Sequence, residues 1–223
     1  MPEKKATDTR GKLLSAGIQI FAEKGYREAT IRQICKRAGS ANINSINYCF
    51  GSKEQLYKEI LEMIFSSYDK YDQQAWEQKT PEQQLKAMIT NFCTMLYKNN
   101  AFDSDITRVF ISEMTQPSPF IEEMVDTYNR PRVKRHLKMF KNLIGKNATD
   151  DMARDCLVSV AGQLLYYSFA WPVFSRLFPG YSADKHYEQW ADHVYQFSMG
   201  GIEAIKKRLT QKQEDHHGNE AIR

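Results

Sequence analysis

Residues Thr30–Lys53 read TIRQICKRAGSANINSINYCFGSK, and the punctuation of this stretch decides the fold. Thr30-Ile31-Arg32-Gln33 fits a capping box, in which the Thr hydroxyl and the Gln side chain satisfy backbone N–H groups that have no partner inside the helix. Ile31, Ile34, Cys35 and Ala38 then recur at intervals of three and four, one apolar face of a short helix, with Arg32, Gln33, Lys36 and Arg37 on the other side. Gly39 ends it. Asn42 is a good N-cap for a second short helix, about Asn42 to Cys49, whose Ile43 and Ile46 face inward with Phe50 beneath. That register leaves Asn44, Ser45, Asn47 and Tyr48 pointing out. A merely solvated helix usually carries Glu and Lys there. Asn, Ser and Tyr form helix less readily, but they hydrogen-bond base edges and phosphates. Gly51 turns the chain, and Ser52-Lys53-Glu54-Gln55 is a second capping box. A helix N-terminus is itself an anion site, so Lys53 in its first turn reads as a phosphate clamp. Helix, tight turn and a second helix with a polar outward face make a device for reading DNA.

The charge distribution agrees. Of the 223 residues, the first 60 carry 11 Lys+Arg against 6 Asp+Glu, whereas the remainder carries 20 against 21. The N-terminal quarter thus holds the whole basic surplus, which suits a polyanion partner; the bland alternative is chance clustering. Upstream, residues 1–8 read as frayed, and a first helix runs from about Thr9 to Lys24 on Leu14, Ile18 and Phe21, with Gly25 where a left-handed cap belongs. No apolar run reaches the roughly 18 residues of a membrane span. MPEKKATDTRGK has no signal-peptide core either, so a cytoplasmic protein with no membrane partner is expected. Cys35, Cys49, Cys93 and Cys156 form no C-x-x-C pair and imply no disulfide framework.

Downstream, helical patterns follow one another. A long fourth helix is expected through about Tyr71, its stripe marked by Leu56, Ile60, Met63, Ile64 and Tyr68. A fifth is expected over Glu82–Lys98, and a sixth from Asp103 or Ser104 to Thr115 on Ile106, Val109, Phe110 and Met114. A seventh, from about Pro119 to Ile144, should kink at Pro131. An eighth, capped by Thr149 or Asp150, should run to about Ala170, where Trp171-Pro172 disrupts it and VFSRLFPGYS forms a loop. The last helix, about Ala183 to Leu209, places Trp190, Val194, Phe197, Gly201 and Ile205 on one stripe, and a polar, disordered tail follows. No period-2 run or hairpin turn is present. The fold class is all-α with about nine helices, divided into a DNA-binding domain over 1–55, a ligand-binding and dimerisation domain over 56–209, and the tail.

On these residues the chain resembles the TetR family of bacterial transcriptional regulators, through IFAEKGYREATIRQICKRAG and INYCFGSKEQLY. SEMTQPSPF, VAGQLLYYSFAWPV and HVYQFSMGGI add a resemblance to the branch with a CecR-like C-terminal domain. The turn at Ser40-Ala41 is one residue longer than that branch usually has, and Cys49 stands where the family commonly has His. The resemblance implies a homodimer that binds a palindromic operator and leaves it when a small molecule enters the C-terminal domain. Thr30, Tyr48 and Lys53 would hold phosphates; Asn44, Ser45 and Asn47 would face the groove; Arg32 and Asn42 complete the candidate DNA-binding set. It also implies a dimer bundle of the last two helices, to which Ala161, Gly162, Leu165, Phe197, Gly200 and Gly201 are assigned. A mid-helix Gly costs about 1 kcal/mol relative to Ala, which close helix approach offsets; intrachain packing is the alternative.

The effector site is the least determined. Phe110, Tyr166, Tyr167, Trp171 and Trp190 read equally as core, but Glu113, His136, Gln163 and His193 fall on largely apolar helices, where an unpaired polar group is costly. A pocket of such aromatics and polar groups suits a flat or amphipathic organic ligand. Asp184, His186, Glu188 and His193 match no metal-ligand spacing, and neither metal nor cofactor is expected. No H-E-x-x-H, G-x-S-x-G, P-loop or dinucleotide fingerprint supports an enzyme. The competing readings are an all-α enzyme and a DNA-binding module governed by a protein partner.

Overall fold

A computed structural model describes the backbone of residues 2–39, 42–67 and 76–220, and the side chains of these except residues 2–8, 100, 102–103 and 212–220. Ten α-helical segments follow in order: α1 (Pro2–Glu28), α2 (Ile31–Arg37), α3 (Asn44–Phe50), α4 (Lys53–Ser67), α5 (Pro81–Tyr97), α6 (Asp105–Thr115), α7 (Ile121–Met124), α8 (Arg130–Ile144), α9 (Asp150–Leu177) and α10 (Ala183–Glu220). A π-turn, Val125–Asn129, joins α7 to α8 in one continuous run, so the described residues hold nine helices and no strand. The chain is all-α, as its patterning predicts. It packs as two compact units, one of residues 1–70 and 101–130, the other of residues 71–100 and 131–223.

In the first unit, α1 lies against α2, α4 and α6, and α3 against α4. Its core gathers Leu13, Ile20, Phe21, Ile34, Ile46, Leu56, Tyr57, Ile60 and Phe65, to which Val109 and Met124 are added from the 101–130 segment. Gly17 sits where α4 crosses α1: a Cβ there would come within 3.0 Å of Leu56 Cδ2. The helix-weakening glycine is thus what lets the two helices approach. Gly25 interrupts α1 with φ 72° and ψ 172°, the left-handed region that glycine enters without steric cost.

Several expectations need correction here. Ile43 is not inward: it is the N-cap of α3 and is 49% exposed, and α3 starts at Asn44 rather than Asn42. Met63, Ile106 and Met114 are likewise exposed, because wide apolar stripes leave their flanks in water. The first helix begins at Pro2, not Thr9. Tyr68 and the Ser40-Ala41 turn lie outside the described residues.

In the second unit, α5 packs along α10 and both touch α9. Thr80 and Gln83 form a complete capping box at the start of α5, with Pro81 in its first turn. Pro131 is accommodated by the π-turn that precedes it. Proline has no N–H and its ring crowds the carbonyl four residues back, and the wider winding gives that carbonyl room. Pro172 does not end α9, which continues to Leu177. Tyr167 and Phe174 flank the proline and meet edge-on at 4.5 Å, so packing on both sides holds the helix together. α9 is also long and apolar enough, by length and composition alone, to cross a membrane, contrary to the expectation of no such segment. α10 buries Ala191, Val194, Ser198 and Ile202; of the predicted stripe Val194 is buried, Trp190 and Ile205 are half-buried, and Phe197 and Gly201 face outward. α10 runs on to Glu220, through the stretch predicted to be disordered; Gln211, Lys212, Gln213 and Glu214 are good helix formers.

Candidate nucleic-acid interface

α2 is held at its start by both arms of the capping box: Gln33 N donates to Thr30 Oγ1 (3.3 Å) and Thr30 N donates to Gln33 Oε1 (3.0 Å). Its inner face buries Ile34 and Cys35, leaving Arg32 and Lys36 exposed. α3 is anchored by Ile46, which is 0% exposed. Around that anchor Asn44 and Asn47 are exposed, Ser45 is half-buried, and Tyr48 is 85% exposed. Asn42 Oδ1 accepts from Asn44 N at 2.9 Å, so Asn42 organises the entry to α3 from just outside it. An apolar pin fixes the helix on one side, and two amides and a phenol stand exposed on the other.

Lys53 is placed differently from a simple phosphate clamp. Its Nζ donates to Tyr26 O and Ala29 O, both at 3.0 Å, and lies 4.6 Å from the centre of the Tyr26 ring. It ties the N-terminus of α4 to the chain that leaves α1, and two of its three donors are occupied in doing so. Two arginines of the basic quarter are also engaged. Arg10 donates to both carboxylate oxygens of Glu59 (2.8 and 2.6 Å) and stacks on Phe50. Arg37 forms a fork with Glu23 (2.8 and 2.9 Å), which holds the Glu23 carboxyl below its ordinary range. Part of the surplus charge thus fixes helices in place.

Sequence reasoning did not find what steadies this unit from behind. Glu113, on α6, is 1% exposed and accepts from Tyr57 Oη (2.7 Å), Ser118 N (3.0 Å) and Ser118 Oγ (2.7 Å). Burial and the hydrogen bond to this carboxylate push the Tyr57 phenol well above its ordinary pKa. Tyr57 also meets Phe21 at 4.6 Å and Tyr26 at 4.8 Å, so the network continues into the aromatic core of the first unit. Glu113 therefore lies in the first unit with its oxygens committed to these donors, and Phe110 beside it packs on Phe65. The signal was present as a polar residue on an apolar helix, but its partners are 56 and 5 residues away, beyond what periodicity reaches.

The remaining candidate effector residues lie in the second unit. Tyr167 contacts Tyr166, Phe174, Tyr181 and Trp190, the last at 4.7 Å. Trp171 joins through Phe174, and His193 stacks on Trp190 at 5.4 Å. The buried Trp190 indole N–H has no acceptor among the described residues. Gln163 Nε2 donates to Ser159 O, one turn back on its own helix. His136 stands apart from this group, against Trp76 at 5.5 Å. Of the residues assigned to an interface, Gly162, Phe197, Gly200 and Gly201 are exposed, while Ala161 and Leu165 are half-buried. A Cβ added at any of these three glycines would meet nothing within 4 Å. Val158, Tyr166, Phe169, Val173 and Leu177 follow at intervals of eight, three, four and four along α9, all exposed, so with Gly162 they form one uncovered apolar stripe.

Fold and site together define a helix-turn-helix DNA-binding protein with a helical C-terminal unit. Residues 13–60 match the description "Bacterial regulatory proteins, tetR family", and residues 81–202, more than half of the chain, match "HTH-type transcriptional dual regulator CecR, C-terminal domain". The chain therefore belongs to the TetR family of transcriptional regulators, in the branch with a CecR-type C-terminal domain. Among characterised relatives it is 28% identical over 124 residues to the probable HTH-type transcriptional regulator YttP of Bacillus subtilis (strain 168), covering 54% of this chain and 57% of YttP. It is 34% identical over 85 residues to the HTH-type transcriptional repressor NicS of Pseudomonas putida, covering 38% of this chain and 40% of NicS. The alignments thus span about half the length of these relatives. Its fold is similar to that of FadR from Bacillus halodurans (20% identity, 86% of this chain and 98% of the other, TM-score 0.60). It is similar also to FadR from Bacillus subtilis in complex with stearoyl-CoA (16% identity, 82% and 96%, TM-score 0.59).

Proposed function

We propose that this regulator is a repressor that binds a palindromic operator as a homodimer in the cytoplasm and is released by a small organic effector held in its second unit. The observation that carries this reading is α3: Asn44, Asn47 and Tyr48 stand exposed on a helix pinned by a fully buried Ile46, within the most cationic quarter of the chain. Asn pairs with adenine edges and Tyr with phosphate, and Thr30, Arg32, Asn42 and Ser45 border the same face. Lys53 contributes its third donor to phosphate while its other two hold α4 in place.

The uncovered stripe of α9 and the exposed Phe197, Gly200 and Gly201 of α10 support a second copy as the partner. Obligate interfaces are more apolar than ordinary surface, and three open glycines allow close helix approach. Two-fold symmetry would then set two reading helices about 34–36 Å apart, one turn of DNA. For the effector, the aromatic group around Tyr167 with the partnerless indole N–H of Trp190 offers flat apolar walls and one polar handle.

The test is Asn47→Ala with Tyr48→Ala. Both residues are exposed, so the double variant should melt with the parent and stay dimeric. It should bind a selected operator fragment about a hundredfold more weakly in a gel-shift titration, since each such contact is worth roughly 1–3 kcal/mol. Binding equal to the parent's would remove α3 from its assigned role.

A further inference from the structure

Ile43 stands immediately before α3, and two of its properties go against what folding alone asks for. It is 49% exposed, although its side chain is branched and apolar. It also occupies the N-cap of α3, where it gives the helix no side-chain hydrogen bond. Isoleucine is among the poorest residues for that place, which Ser, Thr, Asp and Asn fill well. A singly exposed apolar residue is ordinary; this one is set apart by how it is held and by what stands beside it. Its carbonyl accepts from the thiol of the buried Cys35, on α2, at 4.0 Å. Asn42 Oδ1 takes the N–H of Asn44 at 2.9 Å, and Asn42 O takes that of Ser45 at 3.1 Å, which closes a turn around Ile43. With φ −61° and ψ −30°, Ile43 already has helical backbone geometry. At about 100° per residue, Ile43, Asn44, Asn47 and Tyr48 then share one sector, and all four are exposed. Ser45, Ile46, Cys49 and Phe50 fill the other, and all four are buried or half-buried. Ile43 and Asn47 are one turn apart and so lie side by side. A β-branched side chain is restricted at its first torsion, so the methyl groups of Ile43 are presented in a fixed place on the reading face.

We infer that Ile43 is a specificity-determining residue that reads the 5-methyl group of a thymine in the major groove, beside the amides of Asn44 and Asn47. The inference rests on the operator reading of α3. In helix-turn-helix proteins the residues at the start of the second helix are the ones that reach base edges. Among the four bases only thymine carries a methyl group in the major groove, and apolar side chains contact it, while asparagine pairs with the adenine edge. An isoleucine flanked by asparagines thus matches both members of A·T pairs. A phosphate gains nothing from such a side chain. A cytosine in the thymine's place would press its amino donor against methyl groups and leave it unpaired.

The experiment uses the full chain and a duplex fragment that it enriches from genomic DNA. Each thymine in turn is replaced by deoxyuridine, which removes the methyl group and keeps every hydrogen-bonding atom. Replacing one particular thymine of a half-site should weaken the parent's binding about fourfold, the worth of one buried methyl-sized group. Ile43→Ser should bind the thymine and uracil duplexes equally, whereas Ile43→Val, which keeps two methyl groups, should retain the preference for thymine. Serine is the better N-cap, so Ile43→Ser should melt no lower than the parent. Its salt dependence should match the parent's, because no phosphate contact is removed. A parent indifferent to every thymine methyl, or an Ile43→Ser protein that keeps the parent's preference for thymine over uracil, would each overturn the assignment. If either occurs while Asn47→Ala with Tyr48→Ala still loses operator binding, the reading of α3 stands without Ile43. If the parent enriches no fragment above random DNA, both fall.

Discussion

The two compact units spend their side chains in opposite ways. In the first, the buried positions are filled from within and even a carboxylate is fully provided for: Glu113 takes Tyr57 and both donors of Ser118, and Arg10 and Arg37 are closed by Glu59 and Glu23. What it leaves outside on α3 is amide and phenol. Exposed apolar side chains occur in both units, but in the second Val158, Phe169, Val173 and Leu177 line up along one helix, with Phe197 exposed on the next. A closed core with a polar face suits a partner that is read by hydrogen bonds and charge. An apolar face left over suits a partner that is held by burial. On the proposed reading, the first unit takes DNA and the second unit takes a second copy.

The largest effect that would break the contrast is on assembly. Val173→Lys with Phe197→Lys changes two exposed side chains, so the fold of the unit should survive. Light scattering after gel filtration should nevertheless show a monomer for the variant and a dimer for the parent, because burying two unpaired ammonium groups in the proposed interface costs several kcal/mol. A dimer of unchanged strength would mean that the stripe is not the interface. The first unit offers a smaller, sharper test. Tyr57→Phe removes one donor from the buried Glu113 carboxylate and should cost about 1–3 kcal/mol in urea unfolding. Tyr26→Phe, whose hydroxyl reaches the exposed Glu54 at only 3.5 Å, should cost little. Equal costs would show that the Glu113 network carries no stability.

The smallest effect is on pH dependence in the second unit. Burial pushes the Cys93 thiol from 9.0 up to about 12. A group whose folded pKa is raised keeps the protein's full stability below its unfolded value and loses it as pH rises toward the folded one, since only the unfolded chain then releases the proton. The melting temperature should therefore begin to fall above about pH 9. Cys93→Ala should flatten that fall between pH 9 and 10, leaving the part due to the buried tyrosines Tyr57, Tyr97 and Tyr167, whose phenols are also raised. An identical pH profile for the two proteins would exclude Cys93 as its source.

Much of the reading apparatus was legible before any coordinates. Thr30 and Gln33 announce the start of α2, and both arms of their box are formed. Ile34, Cys35 and Ile46 announce the inner faces, and all three are buried. These are local signals, written within one or two helical turns. What was not legible depends on distant partners. Lys53 reads as a free cation at a helix start, yet carbonyls 24 and 27 residues back claim two of its donors. Glu113 reads as a pocket residue, yet Tyr57, 56 residues back, holds it in the interior of the first unit. Pro172 reads as a break, yet Tyr167 and Phe174 pack across it. On α10 Val194 is buried as predicted, but Ser198 takes the buried place given to Phe197, because both fit a helical repeat and only the neighbours choose between them.

The most direct test of the central claim is affinity selection of genomic DNA fragments by the purified protein at physiological salt, followed by binding titration of the enriched fragments. The account predicts fragments that share an inverted repeat with half-sites about one helical turn apart. They should be bound at least about 10³-fold more tightly than random DNA, the lower end of specific recognition. Enrichment of no fragment above random sequence would contradict it.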